Sequence, residues 1–151
     1  MSFDARLEEL NLILPPHPVQ GGNYVSAKTV GTMVYLSGVL SMQNGVVITG
    51  KLGAGRTVEE GYEAARCCAL TQLAVLRKHL GSLDAIAELV SVNGYVHAAD
   101  DFTEPPKVIN GFSDLMVEVF GDAGRHVRAA IGVNCLPRNA LVEVQMSVRI
   151  V

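Results

Sequence analysis

Leu141-Val142-Glu143-Val144-Gln145-Met146-Ser147-Val148-Arg149-Ile150 alternates apolar and polar residues almost without a break. Val142, Val144, Met146, Val148 and Ile150 fall on one side of an extended chain; Leu141, Glu143, Gln145, Ser147 and Arg149 fall on the other. A period of two held this long marks a strand with one buried face. The residues upstream, from Arg128 to Asn134, are also strand-like. Pro137-Arg138-Asn139, between the two, is good turn chemistry. The two segments are expected to form a hairpin or a near-neighbour strand pair, presenting Arg128 and Glu143 from adjacent backbones.

Moving back along the chain, Thr57-Val58-Glu59-Glu60 is a capping box, a Thr N-cap with Glu three residues on. It opens a helix over 58–80 whose buried stripe is Ala65, Ala69, Leu73, Leu76 and Leu80. Gly81 ends it. A second helix is expected over 107–120, with Val108, Phe112, Leu115, Val119 and Phe120 as its apolar positions. Strands are expected over 24–30, 33–36, 46–49 and 89–96, with Asn44-Gly45 as a hairpin turn. A short helix is expected over 4–10, capped by Ser2 or Asp4, before a Pro-rich arm, 11–22. The order is β-β-β-α-β-α-β-β. It predicts one α+β domain, residues 1–151, in which two helices cover one face of a mixed sheet.

Composition narrows the function. Charged residues make up 18% of the 151-residue chain, and the mean hydropathy is +0.29. No run approaches the roughly 20 apolar residues of a membrane span. An apolar chain with no span points to a large core or, more sharply, to surface buried between subunits. The net charge is −3, the pI is about 5.8, and Lys and Arg nowhere cluster, so a nucleic-acid footprint is missing. Cys67, Cys68 and Cys135 form no disulfide framework and no zinc spacing, and no signal peptide is evident, so a reducing cytoplasm is the expected compartment. The four histidines are scattered without ligand spacing, and no metal is expected.

The residues that could carry chemistry are few. Arg128 shares a strand face with Ala130, Gly132 and Asn134, whose small side chains leave room beside its guanidinium. A planar fork of donors suits a carboxylate, although a surface or interface salt bridge is an equally simple use. Glu143 lies on the polar side of a valine-rich strand and could act as a general base toward a water, or be a solvated or interface-paired carboxylate. Tyr24 and Ser37 meet at one end of their hairpin if the register allows. Asn110, early in the second helix, could donate its amide to a ligand or serve as a cap.

Together these positions resemble the YjgF-type Rid family, the reactive intermediate deaminases. The resemblance runs from about Gly22 to the end of the chain. Arg128, then Leu136-Pro137, then Val142-Glu143-Val144 looks like the family's C-terminal signature. Tyr24 with Ser37-Gly38 matches its N-terminal tyrosine and Ser-Gly pair, and Val108-Ile109-Asn110-Gly111-Phe112 its asparagine segment. The resemblance implies a chorismate mutase-like fold and a homotrimer, barrel-like, with pockets between subunits. It also implies hydrolysis of 2-imino or enamine acids to 2-oxo acids and ammonia, with no cofactor. It assigns Arg128 to the substrate carboxylate and Glu143 to the attacking water, with Tyr24, Asn110 and Ser37-Gly38 lining the pocket. The residue two after the arginine, often cysteine in the family, is Ala130 here. The loops 50–55 and 97–107 also differ from the best-known deaminases, which suggests a divergent subgroup. Two other functions remain open: a non-catalytic protein that binds a small carboxylate, and the endoribonuclease label carried by some members.

Overall fold

The computed structural model describes residues 2–151, and the alternating strand sits at the middle of its sheet. That strand, β8 (Val142–Ile150), is buried or half-buried along almost all its length. It pairs antiparallel with β2 (Met33–Leu36) and β3 (Val39–Leu40) on one side and with β6 (Ile86–His97) on the other. β1 (Ala27–Val30) closes one edge and β7 (Val127–Val133) the other, giving the order β1-β2-β8-β6-β7.

The expected β7–β8 hairpin is therefore wrong. β6 lies between the two strands, and β7 pairs with it in parallel. The reason is competition for the central slot. β8 brings Val142, Val144, Met146 and Val148 to the core, all buried, whereas β7 exposes Val127 and Ile131. A continuous apolar face is best satisfied with neighbours on both sides. Pro137–Asn139 forms a 3-10 turn in a connection too long for a tight hairpin. A parallel pair needs a crossover, and α3 (Pro105–Phe120) supplies it between β6 and β7.

α2 (Val58–Leu80) starts and stops where its sequence signals place it. Thr57 Oγ1 accepts from the Glu60 amide, the Glu60 carboxylate accepts from the Thr57 amide, and Gly81 closes the helix in the left-handed region at φ 85°. α2 and α3 lie side by side on one face of the sheet. A Cβ on Gly111 would run into the Tyr62 carbonyl, so this glycine sets how closely the two helices approach. α1 (Phe3–Glu9) is capped by Ser2 and packs Phe3 edge-on against Phe120, ring centroids 4.8 Å apart.

Two local expectations change. Tyr24 lies before the first strand, not within it, because β1 begins at Ala27. The expected strand over 46–49 shortens to β5 (Val46–Val47), which folds back on β4 (Met42–Gln43) around Asn44-Gly45, both at positive φ, as a separate ribbon. The chain after Gly38 re-enters the main sheet as β3, which replaces β2 along β8.

Alternation assigns each side chain a face. Gly94 of β6 packs against Ile109 of α3, so beyond the bulge between Leu89 and Ser91 the even-numbered positions of β6 face the helices and Ser91, Asn93 and Tyr95 face away. Directly paired residues point the same way. The face without helices thus carries Val30, Tyr35, Val127 and Ile131, each between 48% and 70% exposed.

Candidate active site

The predicted site residues form two groups. Tyr24, Ser37, Gly38 and Glu143 line one cavity of about 590 Å³, with the arm residues Pro18 to Gly21 as one wall and Thr71 and Arg138 also at its surface. Arg128, Asn110 and Ala130 lie elsewhere, along the β7 edge and against α3.

In the first group, the sheet's change of partner makes the site. Where β2 gives way to β3, Ser37 and Gly38 open a gap beside β8, and Glu143 faces into it. A Cβ on Gly38 would sit 2.5 Å from Glu143 Oε2, so only glycine leaves the carboxylate its place. The break is pinned from below. Gln72 of α2, fully buried, donates to the Ser37 carbonyl at 2.9 Å and to the Val144 carbonyl at 3.1 Å. Ser37 Oγ donates to the Val25 carbonyl at 2.6 Å and Tyr24 Oη accepts from the Gly21 amide at 3.2 Å, so the arm is tied to the cavity. The Tyr24 hydroxyl hydrogen is left for a ligand.

Glu143 is half-buried and takes part in no salt bridge among the described residues. Burial pushes its carboxyl above the ordinary 4.5. A carboxylate made more basic in this way suits proton abstraction from water and return of the same proton to a leaving nitrogen.

In the second group, Arg128 is held rather than free. Its Nη1 donates to Asn110 Oδ1 at 2.9 Å and to Ser113 Oγ at 3.0 Å; its Nη2 donates to the Pro106 carbonyl at 3.3 Å. Three fixed acceptors set the plane of the guanidinium and leave donors directed outward. Asn110 uses its oxygen here, which leaves the amide nitrogen for a ligand. Ala130 follows on the same face of β7 and packs against the core.

The two groups cannot meet within one chain. Arg128 pairs with Val92 and bonds to α3, so it points to the helix side. Glu143 pairs with Tyr95 and points to the other side. β6 separates their strands, and their partners on it stand three residues apart. The expectation that adjacent backbones present both charges is overturned by the strand order.

Sequence reasoning missed Gln72, Ser113, His126 and Arg138. Ser113 was within reach, lying one helical turn beyond Asn110 on the same face of α3. His126, two residues before Arg128 on an extended segment, follows from alternation. Gln72 lies beside the apolar stripe of α2 and gives no local sign of its two carbonyl partners. Arg138 and Asn139, both at positive φ (56° and 58°), make the turn that Pro137-Arg138-Asn139 announces; that Arg138 reaches the cavity is set by where β8 lies in the sheet.

Cys68 is a buried core thiol, whereas Cys67 is only half-buried and opens on a shallow surface pocket; burial pushes both thiols up. Among the described residues no three His, Cys, Asp or Glu side chains gather to hold a metal ion, and no helix is long and apolar enough to cross a membrane.

The chain is similar in sequence and shape to known proteins. The family model described as "YjgF/chorismate mutase-like, putative endoribonuclease" matches residues 4–150. Protein TCP17 of Trypanosoma cruzi is 42% identical over 148 residues, covering 97% of this chain and 92% of the relative. A 2-iminobutanoate/2-iminopropanoate deaminase of Dermatophagoides farinae is 30% identical over 132 residues, covering 87% and 88%. The crystal structure of a Shewanella oneidensis protein described as a "putative endoribonuclease" superposes with a TM-score of 0.95 at 33% identity, covering 99% and 100%.

Proposed function

The chain belongs to the YjgF/chorismate mutase-like, Rid-type family, and from that membership and the divided charges of its site we propose that it hydrolyses 2-imino or enamine acids to 2-oxo acids and ammonia at a pocket shared between two copies of the chain. The observation that carries the reading is the placement of Arg128 and Glu143 on opposite faces, each already prepared for one half of the reaction. A second copy is the direct way to bring a guanidinium from one β7 edge to the Glu143 cavity of its neighbour. The uncovered apolar face bearing Val127, Ile131 and Tyr35 suits the assembly this requires, in keeping with a homotrimer.

The chemistry needs little else. Arg128 grips the substrate carboxylate with the donors that Asn110, Ser113 and Pro106 leave free. The imine carbon is already electrophilic. Glu143 takes a proton from a water as its oxygen bonds to that carbon. Glu143 gives that proton to the imine nitrogen, which leaves a neutral carbinolamine; it then takes the carbinolamine hydroxyl proton and passes it to the same nitrogen, so that the C=O bond forms as the C–N bond breaks and ammonia leaves. Water and imine become oxo acid and ammonia with Glu143 restored. An RNA substrate suits the chain poorly, since its net charge is −3 and its cavity is walled by Pro18, Val19, Val39 and Leu40.

The test generates 2-iminobutanoate in situ and times its decay. Accelerated decay by the wild-type protein, lost in Glu143→Gln and Arg128→Ala, supports the reading. A decay rate untouched by the wild-type protein rejects it for this substrate class. Saturable 2-oxobutanoate binding without turnover would instead favour a carboxylate-binding protein.

A further inference from the structure

His126 is joined to Arg128 through one hydroxyl. Its Nδ1 stands 2.7 Å from the Gly124 carbonyl oxygen and its Nε2 stands 2.9 Å from Ser113 Oγ, the same oxygen that accepts from Arg128 Nη1 at 3.0 Å. The carbonyl can only accept, so Nδ1 carries the proton. In the neutral ring Nε2 is then a bare acceptor, and the Ser113 hydroxyl donates to it. That direction turns the Ser113 lone pairs toward the guanidinium. The chain of donors runs one way, from Arg128 through Ser113 to His126.

We propose that Ser113 and His126 are positioning residues that hold Arg128 in its ligand-gripping orientation, and that protonation of His126 releases it. This rests on the reading of Arg128 as the carboxylate anchor. In the imidazolium both ring nitrogens donate. Ser113 Oγ would then face two cationic donors, and its own hydrogen would need a new acceptor. The guanidinium and the ring would also repel each other across the hydroxyl. Arg128 would keep Asn110 and the Pro106 carbonyl, and lose the second of the two acceptors that fix Nη1.

The surroundings favour the neutral ring. His126 is half-buried, and its pKa is held below the ordinary 6.5 by burial first and by the Arg128 charge, against the pull of the Gly124 carbonyl. Arg128 on β7 is the charged group that acts on it. α3 presents the neutral Ser113, and on the turn before it Asp122 and Arg125 are exposed and pair with each other at 3.4 Å. The anchor therefore stays set at neutral pH and loosens as pH falls through the His126 pKa. A 2-oxo or 2-imino carboxylate stays ionised throughout that range, so the loss belongs to the protein.

The experiment titrates the wild-type protein and three variants, His126→Gln, His126→Asn and Ser113→Ala. Two signals are followed: the Arg128 Nε–H resonance and the dissociation constant of 2-oxobutanoate. In the wild type, affinity should weaken about tenfold as pH falls from neutral through the His126 transition, which its own ring signal marks, the scale of one charge-assisted hydrogen bond. The Arg128 resonance should move with the His126 ring signal. In the two His126 variants both traces should be flat. In Ser113→Ala, affinity should be low at either pH. In turnover the effect should fall on KM, whereas the acid limb set by Glu143 falls on kcat. An Arg128 resonance that ignores the His126 titration, or His126 variants that keep the wild-type pH dependence, would overturn the proposal. Failure of 2-oxobutanoate to bind at any pH would reject the anchor reading instead, and the resonance would still judge the relay.

Discussion

Glu143 carries the sharpest consequences at the scale of single residues. Its folded-state pKa is raised by burial, so the ionised form is disfavoured in the fold relative to the unfolded chain. The sign follows. The stability this carboxyl contributes is present while both states are protonated, below the ordinary 4.5, and is lost as pH rises through the folded value. Glu143→Gln should therefore raise Tm at neutral pH and leave it unchanged near pH 4, as calorimetry at the two pH values would show. The same variant should cut kcat for imine hydrolysis by about 10²–10⁴-fold, the contribution of a positioned base, with 2-oxobutanoate affinity retained. Gly38 sets the space for that carboxylate. Gly38→Ala should fold, since Gly38 is not in the left-handed region, yet displace Glu143 and lower kcat about 10²-fold with KM little changed. A Gly38→Ala variant of wild-type activity would show that the contact is slack.

At the scale of elements, helix signals proved the most readable. Thr57 to Glu60 and Gly81 bound α2 to the residue because caps are local chemistry, decided within one turn. Thr57→Ala should cost about 1 kcal/mol, or about 2–4 °C in Tm for a chain of this length. The loss should appear in thermal melts with kcat intact, since the cap is remote from both charge groups. The longer strands were also readable, but the two-residue strands β3 and β4 were not, and neither was strand order. Alternation in β8 shows that one face is buried and says nothing about which strand lies beside it. The adjacency of β7 and β8 in sequence suggested a hairpin. α3, by bringing β7 in parallel with β6, moved Arg128 one strand further from Glu143 and to the other face. The residue types of the site were legible from Arg128, Glu143, Tyr24, Ser37 and Asn110. Their division into two groups is a product of topology, and the supports Gln72 and Ser113 owe their roles to contacts across 72 and 15 positions of chain.

The whole molecule has one covered and one uncovered sheet face, and its two prepared charges serve different directions. Val127 and Ile131 on the β7 edge are 70% and 48% exposed, apolar surface that a lone chain gains nothing by showing to water. Ile131→Arg should shift the protein toward monomer in sedimentation velocity and abolish turnover in step with dissociation, although Ile131 lies outside the Glu143 cavity. A monomeric Ile131→Arg protein with full activity would show that one chain suffices. The most direct measurement is subunit complementation. Arg128→Ala and Glu143→Gln proteins are assayed separately, then unfolded, mixed in equal amounts and refolded together. If each pocket takes its guanidinium from one subunit and its carboxylate from the next, some pockets in the mixture receive both native groups. Activity should then return to about a quarter of the wild-type value under random pairing. A mixture as inactive as its parents, beside an active refolded wild type, would contradict a shared site.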